Sequence, residues 1–269
     1  MGGLLAYRTI IVTGSKGGVG TTTVALNLSV QLGLHTKKRV ALLDFARPFG
    51  QISMMLDLEP RFTVLDALER IERLDERILA SMFVKHKAGI EILPGPLHAP
   101  MKAEQRQRVT LESFARLVDI ADRAFDLVVV DIGVVNAAEW ALVLRAARLI
   151  LLVAEPSVLA LGLIRSHVPA AATAGIDPER IHFVINRWRQ NDNDALAVLE
   201  EKHERPIVAR LPNDYRQLTE AVTLGIPLIG ATKNPLVARY RELAVWVTSE
   251  TSKVVEDTGI KDQNLVPAS

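Results

Sequence analysis

The chain has 269 residues, 49% of them hydrophobic, enough for one large layered α/β domain. Its 32 basic residues nearly balance 31 acidic ones, so the net charge of +1 gives no global pull toward nucleic acid or anionic lipid. The absence of cysteine excludes disulfides, thiolate zinc sites and cysteine-ligated iron–sulfur clusters, and the six histidines are too scattered to pair on one helix face.

In chain order, an apolar strand at Tyr7–Thr13 leads into the glycine-rich run Gly14–Thr23, which opens an apolar-faced helix over Thr22–Leu34. A strand at Arg39–Asp44, a helix over Val64–Lys85, a strand at Ile90–Leu93 and a helix over Arg108–Phe125 follow. Next come a strand at Leu127–Asp131, a helix at Ala137–Ala147, a strand at Leu149–Ala154 and a helix at Ser157–Ala174. The pattern closes with a strand at Ile181–Asn186, a helix at Asp194–Glu204, a strand at Ile207–Arg210 and helices at Tyr215–Leu224 and Pro235–Ser249.

The strands are continuous apolar runs rather than alternating ones, the mark of a sheet buried on both faces. Their alternation with helices predicts a doubly wound, mostly parallel α/β sheet. Residues 1–249 are expected to form this domain, and the polar residues 250–269 a disordered tail. Met1–Ala6 lacks the pattern of a secretory signal, and the apolar stretch Ala141–Pro156 is broken by Arg145 and Arg148. The expectation is a cytoplasmic protein with no integral membrane segment.

The glycine run carries the chemistry. Glycines let backbone N–H groups turn toward phosphate oxygens, and the helix N-terminus adds partial positive charge. Against the general pattern G-x-x-x-x-G-K-[ST], Ser15 replaces the first glycine. Thr21 stands at the usual lysine, Thr22 keeps the magnesium-holding hydroxyl, and a lysine appears early, at Lys16.

Lys16-Gly17-Gly18-Val19-Gly20 resembles the deviant Walker A loop of the ParA/MinD ATPases. Three further segments extend the likeness: Leu42–Gln51 resembles switch I, Phe125–Asp131 the Walker B strand, and Leu211–Tyr215 the segment beside the adenine. Asn186-Arg187 is similar to the family's adenine-contacting asparagine and its neighbour. Phe49-Gly50, Met54-Met55-Leu56, Glu59-Pro60 and Leu65-Asp66-Ala67-Leu68 resemble most the CpaE/TadZ pilus-assembly branch, and the expectation is a chain without that branch's receiver-like N-terminal domain.

The resemblance implies ATP and Mg2+ as cofactors. It makes Lys16, Asp44 and Asp131 the catalytic set, with Thr22 and Asp131 on the metal. It puts Lys16, Gly17, Gly18, Val19, Gly20, Thr21, Thr22 and Thr23 on the phosphates, and Asn186, Arg187, Pro212, Asn213 and Asp214 near the base. Lys16 is implied to reach across an ATP-dependent homodimer to the partner's nucleotide.

The departures shape the expected activity. Thr21 removes a loop lysine, and Ala46 stands where active relatives carry the second switch I aspartate. Phosphoryl transfer leans on such charges, each worth on the order of 3 kcal/mol. The expectation is therefore a nucleotide-dependent localisation or scaffold protein working with pilus or secretion assembly proteins, hydrolysing ATP weakly or not at all. Such a protein is recruited to a cell pole or a membrane-bound assembly by its partners. The alternative is an active ParA/MinD-type ATPase that positions DNA or protein cargo. Arg187-Trp188-Arg189 is either a base-stacking element or a solvated loop, and Lys85-His86-Lys87 reads as a solvated helix end. Lys233, Arg239 and Arg241 form too thin a cluster, countered by Glu242, to predict DNA binding.

Overall fold

The most apolar stretches of the chain become its central strands. Every residue of β1 (Thr9–Gly14), β2 (Val40–Asp44), β5 (Leu127–Asp131) and β6 (Leu149–Ala154) is buried, as a parallel sheet covered on both faces requires. A computed structural model describes residues 8–46, 50–96, 110–135, 144–145, 147–228 and 234–258. With β3 (Val84–His86), β4 (Ile90–Leu93), β7 (Ile181–Trp188) and β8 (Ile207–Pro212) these strands form one sheet in the order β3-β4-β2-β5-β1-β6-β7-β8. Among the described strands β3 alone runs antiparallel to its neighbour.

Nine α-helices are described: α1 (Thr21–His35), α2 (Ile52–Met55), α3 (Val64–Glu69), α4 (Glu76–Met82), α5 (Leu111–Ala124), α6 (Val158–Thr173), α7 (Asn193–His203), α8 (Tyr215–Thr223) and α9 (Pro235–Thr258). Side chains alternate across the sheet. Ile10 and Val12 of β1 join the core under α1 and α9, while Ile11 joins the core under α3, α4, α5 and α6. The predicted strands and the helices that follow them are found within a residue or two at most ends.

Three predicted boundaries are corrected. Val64–Lys85 is not one helix. Thr63 and Asp66 form a capping box for α3, and Asp75 caps α4 by accepting from the Ile78 N–H at 2.7 Å. The first helix ends at Glu69, a 3-10 turn at Ile71–Arg73 follows, and the internal N-cap at Asp75 starts a second helix. Lys85-His86-Lys87 is then not a helix end: Val84–His86 pairs with β4, and the turn closes by a Gly89 N–H bond to the His86 carbonyl at 3.0 Å. At the other end of the chain, α9 runs past Ser249 to Thr258. The hydroxyls of Thr251 and Ser252 bond back to the Val247 and Thr248 carbonyls, so polar residues continue the helix there. Residues 259–269 lie outside the described residues, as do Arg47, Pro48 and Phe49 of the switch I likeness, Lys233, and nearly all of the predicted helix Ala137–Ala147.

Candidate nucleotide site

β1 delivers the glycine run to the carboxyl edge of the sheet, between β5 and β6. That is the point of an open α/β sheet where the winding direction reverses and ligands bind. The neighbouring strand ends hold the start of the loop: the Gly14 N–H donates to the Gly133 carbonyl (2.9 Å) and the Ser15 N–H to the Val153 carbonyl (2.8 Å). The loop turns through Gly18 and Gly20, at φ +80° and +91°. Gly20 is required twice over, because its left-handed backbone disfavours a side chain and a Cβ there would overlap the Asn186 amide. No side chain caps α1, and its first turn holds no acidic residue, so its N–H groups remain for an anionic ligand.

Thr21 is only 8% exposed. A Cβ on Gly14 would collide with its hydroxyl, so Thr21 packs back against the loop's first glycine. It fills the loop interior where a lysine would have carried a charge.

Asp44 and Asp131 end β2 and β5 as paired positions in register, and both are fully buried. Asp44 Oδ1 accepts from the Ala46 N–H and Oδ2 from the Ile52 N–H, each at 3.1 Å, which ties β2 to the start of α2. Asp131 Oδ1 accepts from the Gly133 N–H at 3.0 Å, while its Oδ2 has no direct hydrogen bond. Burial first, and the Asp44 charge second, push the Asp131 carboxyl up to about 7, against the pull of the Thr22 hydroxyl and the Gly133 amide. Burial raises Asp44 as well. A buried carboxylate with one oxygen left without a partner suits a hard oxygen-seeking divalent cation. Such an ion would offset both the repulsion between the carboxylates and their desolvation.

The other predicted contacts meet across the loop. Asn186 and Arg187 from the end of β7, Pro212 and Asn213 from the end of β8, and Gly20 and Thr23 line one cavity of about 270 Å³. Tyr215 and Leu218 of α8 form its far wall, with Asp214 beside them. Asp214 also serves the fold, capping α8 by accepting from the Gln217 N–H at 3.1 Å. Asn186 Nδ2 donates to the Val19 carbonyl at 2.8 Å, which fixes the amide and leaves its oxygen as the free acceptor. Trp188 takes no part: it bonds Asn193 at 3.2 Å and lines a separate cavity of about 310 Å³. The cation–aromatic run therefore contributes Arg187 alone.

Two residues escaped the sequence reading. Glu155 sits just after β6 and pairs with both Lys16 (2.6 Å) and Arg187 (3.0 Å). His167 of α6 donates from Nε2 to the Ser15 carbonyl at 2.9 Å, bracing the loop from a neighbouring helix. The only available signal for Glu155 was its position at a strand's carboxyl end, where polar residues face the ligand crevice. His167 lies inside an apolar helix, and nothing in the spacing pointed it at the loop.

A glycine loop between strand and helix at the reversal point of a parallel sheet, with paired acidic strand ends and a lateral cavity, defines a P-loop nucleotide-binding α/β protein. The CobQ/CobB/MinD/ParA nucleotide binding domain model matches residues 10–225, and the chain belongs to that family. It is 27% identical over 236 residues to a putative septum site-determining protein MinD of Chlorella vulgaris, across 82% of this chain and 77% of that protein. Its fold is similar to a ParA family ATPase from Chlorobium tepidum TLS, with TM-score 0.79 and 24% identity over 89% of this chain and 99% of that one. It is also similar to the septum site-determining protein MinD of Pyrococcus horikoshii OT3 complexed with Mg-ADP, with TM-score 0.72 and 21% identity over 95% and 99% of the two chains.

Proposed function

We propose that this chain binds ATP with Mg2+, pairs with a second copy when loaded, and acts as a CpaE/TadZ-type localisation or scaffold protein of Flp/Tad pilus assembly, with slow or no hydrolysis. The observation that carries the reading is a contrast within one site. The backbone cradle and the free N-terminus of α1 are kept, while Thr21 packs inward and position 46 is alanine. Groups that bind a ground state remain, and groups that act mainly in the transition state are missing, as expected when binding is useful without turnover.

In this reading Gly17–Thr23 hold the phosphates, Thr22 and Asp131 the metal, and Asn186, Arg187, Pro212, Asn213 and Asp214 the base. Lys16 serves the partner's phosphates, with Asp44 and Asp131 as the acidic members of the site. The ion would supply charge neutralisation of the terminal phosphates. The free carbonyl of Asn186 matches the 6-amino group of adenine and opposes the 6-oxo group of guanine. ATP is expected to bind about five- to tenfold tighter than GTP, one hydrogen bond being worth on the order of 1 kcal/mol.

A steady-state assay and calorimetry test the core of the reading. Micromolar ATP binding with turnover well below about 1 s⁻¹, the low end of ordinary enzymes, is the expected outcome. No binding at millimolar MgATP would sink it. The second reading, an active positioning or partitioning ATPase, is favoured by the likeness to MinD and to a ParA family ATPase. Turnover that rises with added DNA or lipid, together with normal pili and a segregation defect on deletion in the source cell, would move the assignment there.

A further inference from the structure

Lys16 is engaged inside its own subunit. Its Nζ and Arg187 Nη1 each take one oxygen of the Glu155 carboxylate, at 2.6 Å and 3.0 Å. The Ser157 hydroxyl adds a third contact to Glu155 at 3.3 Å. The Lys16 and Glu155 side chains are only 24% and 19% exposed, against 50% and 46% for a surface pair such as Arg123–Glu76. Partial burial reduces the screening that makes surface pairs nearly worthless. Lys16 foremost, then Arg187, holds the Glu155 carboxyl below its usual range.

The carboxylate is also firmly placed. Glu155 directly follows β6, its carbonyl accepts from the Ser157 N–H at 2.7 Å, and the Ser157 side chain caps α6. Arg187, the other partner, has a left-handed backbone at φ +59° and stands on the wall of the lateral cavity. Three separate parts of the site, the phosphate loop, the end of β6 and the base cavity, are therefore linked through one carboxylate.

We propose that Glu155 is a positioning residue that keeps Lys16 in its own subunit, and that Lys16 reaches a partner's phosphates only once this hold is released. The second clause rests on the role given to Lys16 under the proposed function. One ammonium group on a flexible four-carbon stem cannot serve Glu155 and a phosphate of another chain at the same time. Phosphates entering the loop bring negative charge close to Glu155, which repels that carboxylate and attracts the lysine. The ligand thus weakens the hold that keeps the empty subunit single.

Glu155→Gln keeps the size of the side chain and removes its charge, and Glu155→Asp keeps the charge but shortens the reach. In nucleotide-free protein, brief amine acylation read by peptide mass spectrometry should show Lys16 modified several-fold faster in Glu155→Gln. Glu155→Asp should lie between it and the parent, with the exposed Lys37 and Lys38 as internal references. Sedimentation with MgATP should then show Glu155→Gln pairing at about tenfold lower protein concentration, and the Lys16→Ala/Glu155→Gln double variant behaving as Lys16→Ala alone. Equal Lys16 reactivity in all three proteins overturns the hold. Raised reactivity with unchanged pairing overturns its control of association. Raised reactivity with no ATP-linked pairing in any protein establishes the hold and overturns the cross-subunit role of Lys16.

Discussion

The two ends of the proposed nucleotide site are built on opposite terms. At the proposed metal end Asp44, Asp131 and Thr21 are buried, and strand register places the two carboxylates side by side. At the base end Tyr215 is 77% exposed, and Asp214 and Asn213 already have structural work in a helix cap and a bond to the Trp188 carbonyl. Charge at the first end must be counted in the stability of the fold, because burying it is expensive without a counter-ion. The second end can lose side chains and keep the fold. Gly20 and Asn186 join the two, since the asparagine amide lies against that glycine and bonds Val19.

Breaking the junction should have the largest effect. Gly20→Ala forces a side chain into the left-handed region, which costs on the order of 1–3 kcal/mol, and drives its methyl into Asn186. Both ends should suffer together: a lower unfolding midpoint in denaturant and a loss of ATP affinity of about 100-fold or more, two lost contacts at ~1.4 kcal/mol per decade. If calorimetry finds near-normal affinity in a folded variant, the ends are independent.

The next effect is confined to the metal end and depends on pH. Asp131 is raised to about 7 from the ordinary 3.8. The folded state therefore holds a proton that the unfolded state has released, and stability drops as pH rises from about 4 toward 7. The stability is complete below the unfolded pKa and is gone once pH passes the folded one. A loss on the order of a few kcal/mol at most is expected across that window without metal. Asp131→Asn should flatten the slope, leaving a residual part from Asp44, and should abolish any stabilisation by Mg2+ with ATP. Melts from pH 5 to 8.5 that stay parallel for parent and variant would contradict the assignment.

This difference between the ends also governed what the sequence could disclose. At the proposed metal end the strands announce themselves as apolar runs, so Asp44 and Asp131 close the strands expected at Arg39–Asp44 and Leu127–Asp131 and found at Val40–Asp44 and Leu127–Asp131. The proposed base end rests on family resemblance, since no pattern in Asn186 or Pro212 says that β7 and β8 bring them together. Glu155 and His167 were missed because Lys16 lies 139 positions from Glu155, Arg187 lies 32 from it, and Ser15 lies 152 from His167, and pairings across such distances leave no local mark. The segment 64–86 was misread because helical spacing of apolar residues hid the cap at Asp75 and the short strand behind it. There, local capping overrode the longer period.

Asn186→Ala sharpens the comparison more gently. It removes the bond to Val19 and the acceptor offered to the base, yet leaves Gly20 its freedom. ATP affinity should fall about tenfold, with preference over GTP largely lost, while stability drops by about 1 kcal/mol. Paired titrations with ATP and GTP check it, and a retained ATP preference would show that the base is read elsewhere.

The smallest effect is expected at Tyr215, and it tests the open end most directly. This side chain stands on α8 at the cavity wall with 77% of its surface exposed, whereas the core contact of that helix is made by the buried Ala221. Cutting it to alanine in Tyr215→Ala removes little buried area, so the unfolding free energy should move by less than about 0.5 kcal/mol. The helix itself is secured by the Asp214 cap, which the substitution leaves alone. What the ring can do is cover one side of a base that enters the cavity, and stacking on an aromatic face is worth roughly 1 kcal/mol at a solvent-exposed site. ATP affinity should therefore fall about three- to fivefold with no change in melting of the empty protein. A variant that melts lower without ligand would make Tyr215 part of the fold, and the open end would no longer differ in kind from the buried one.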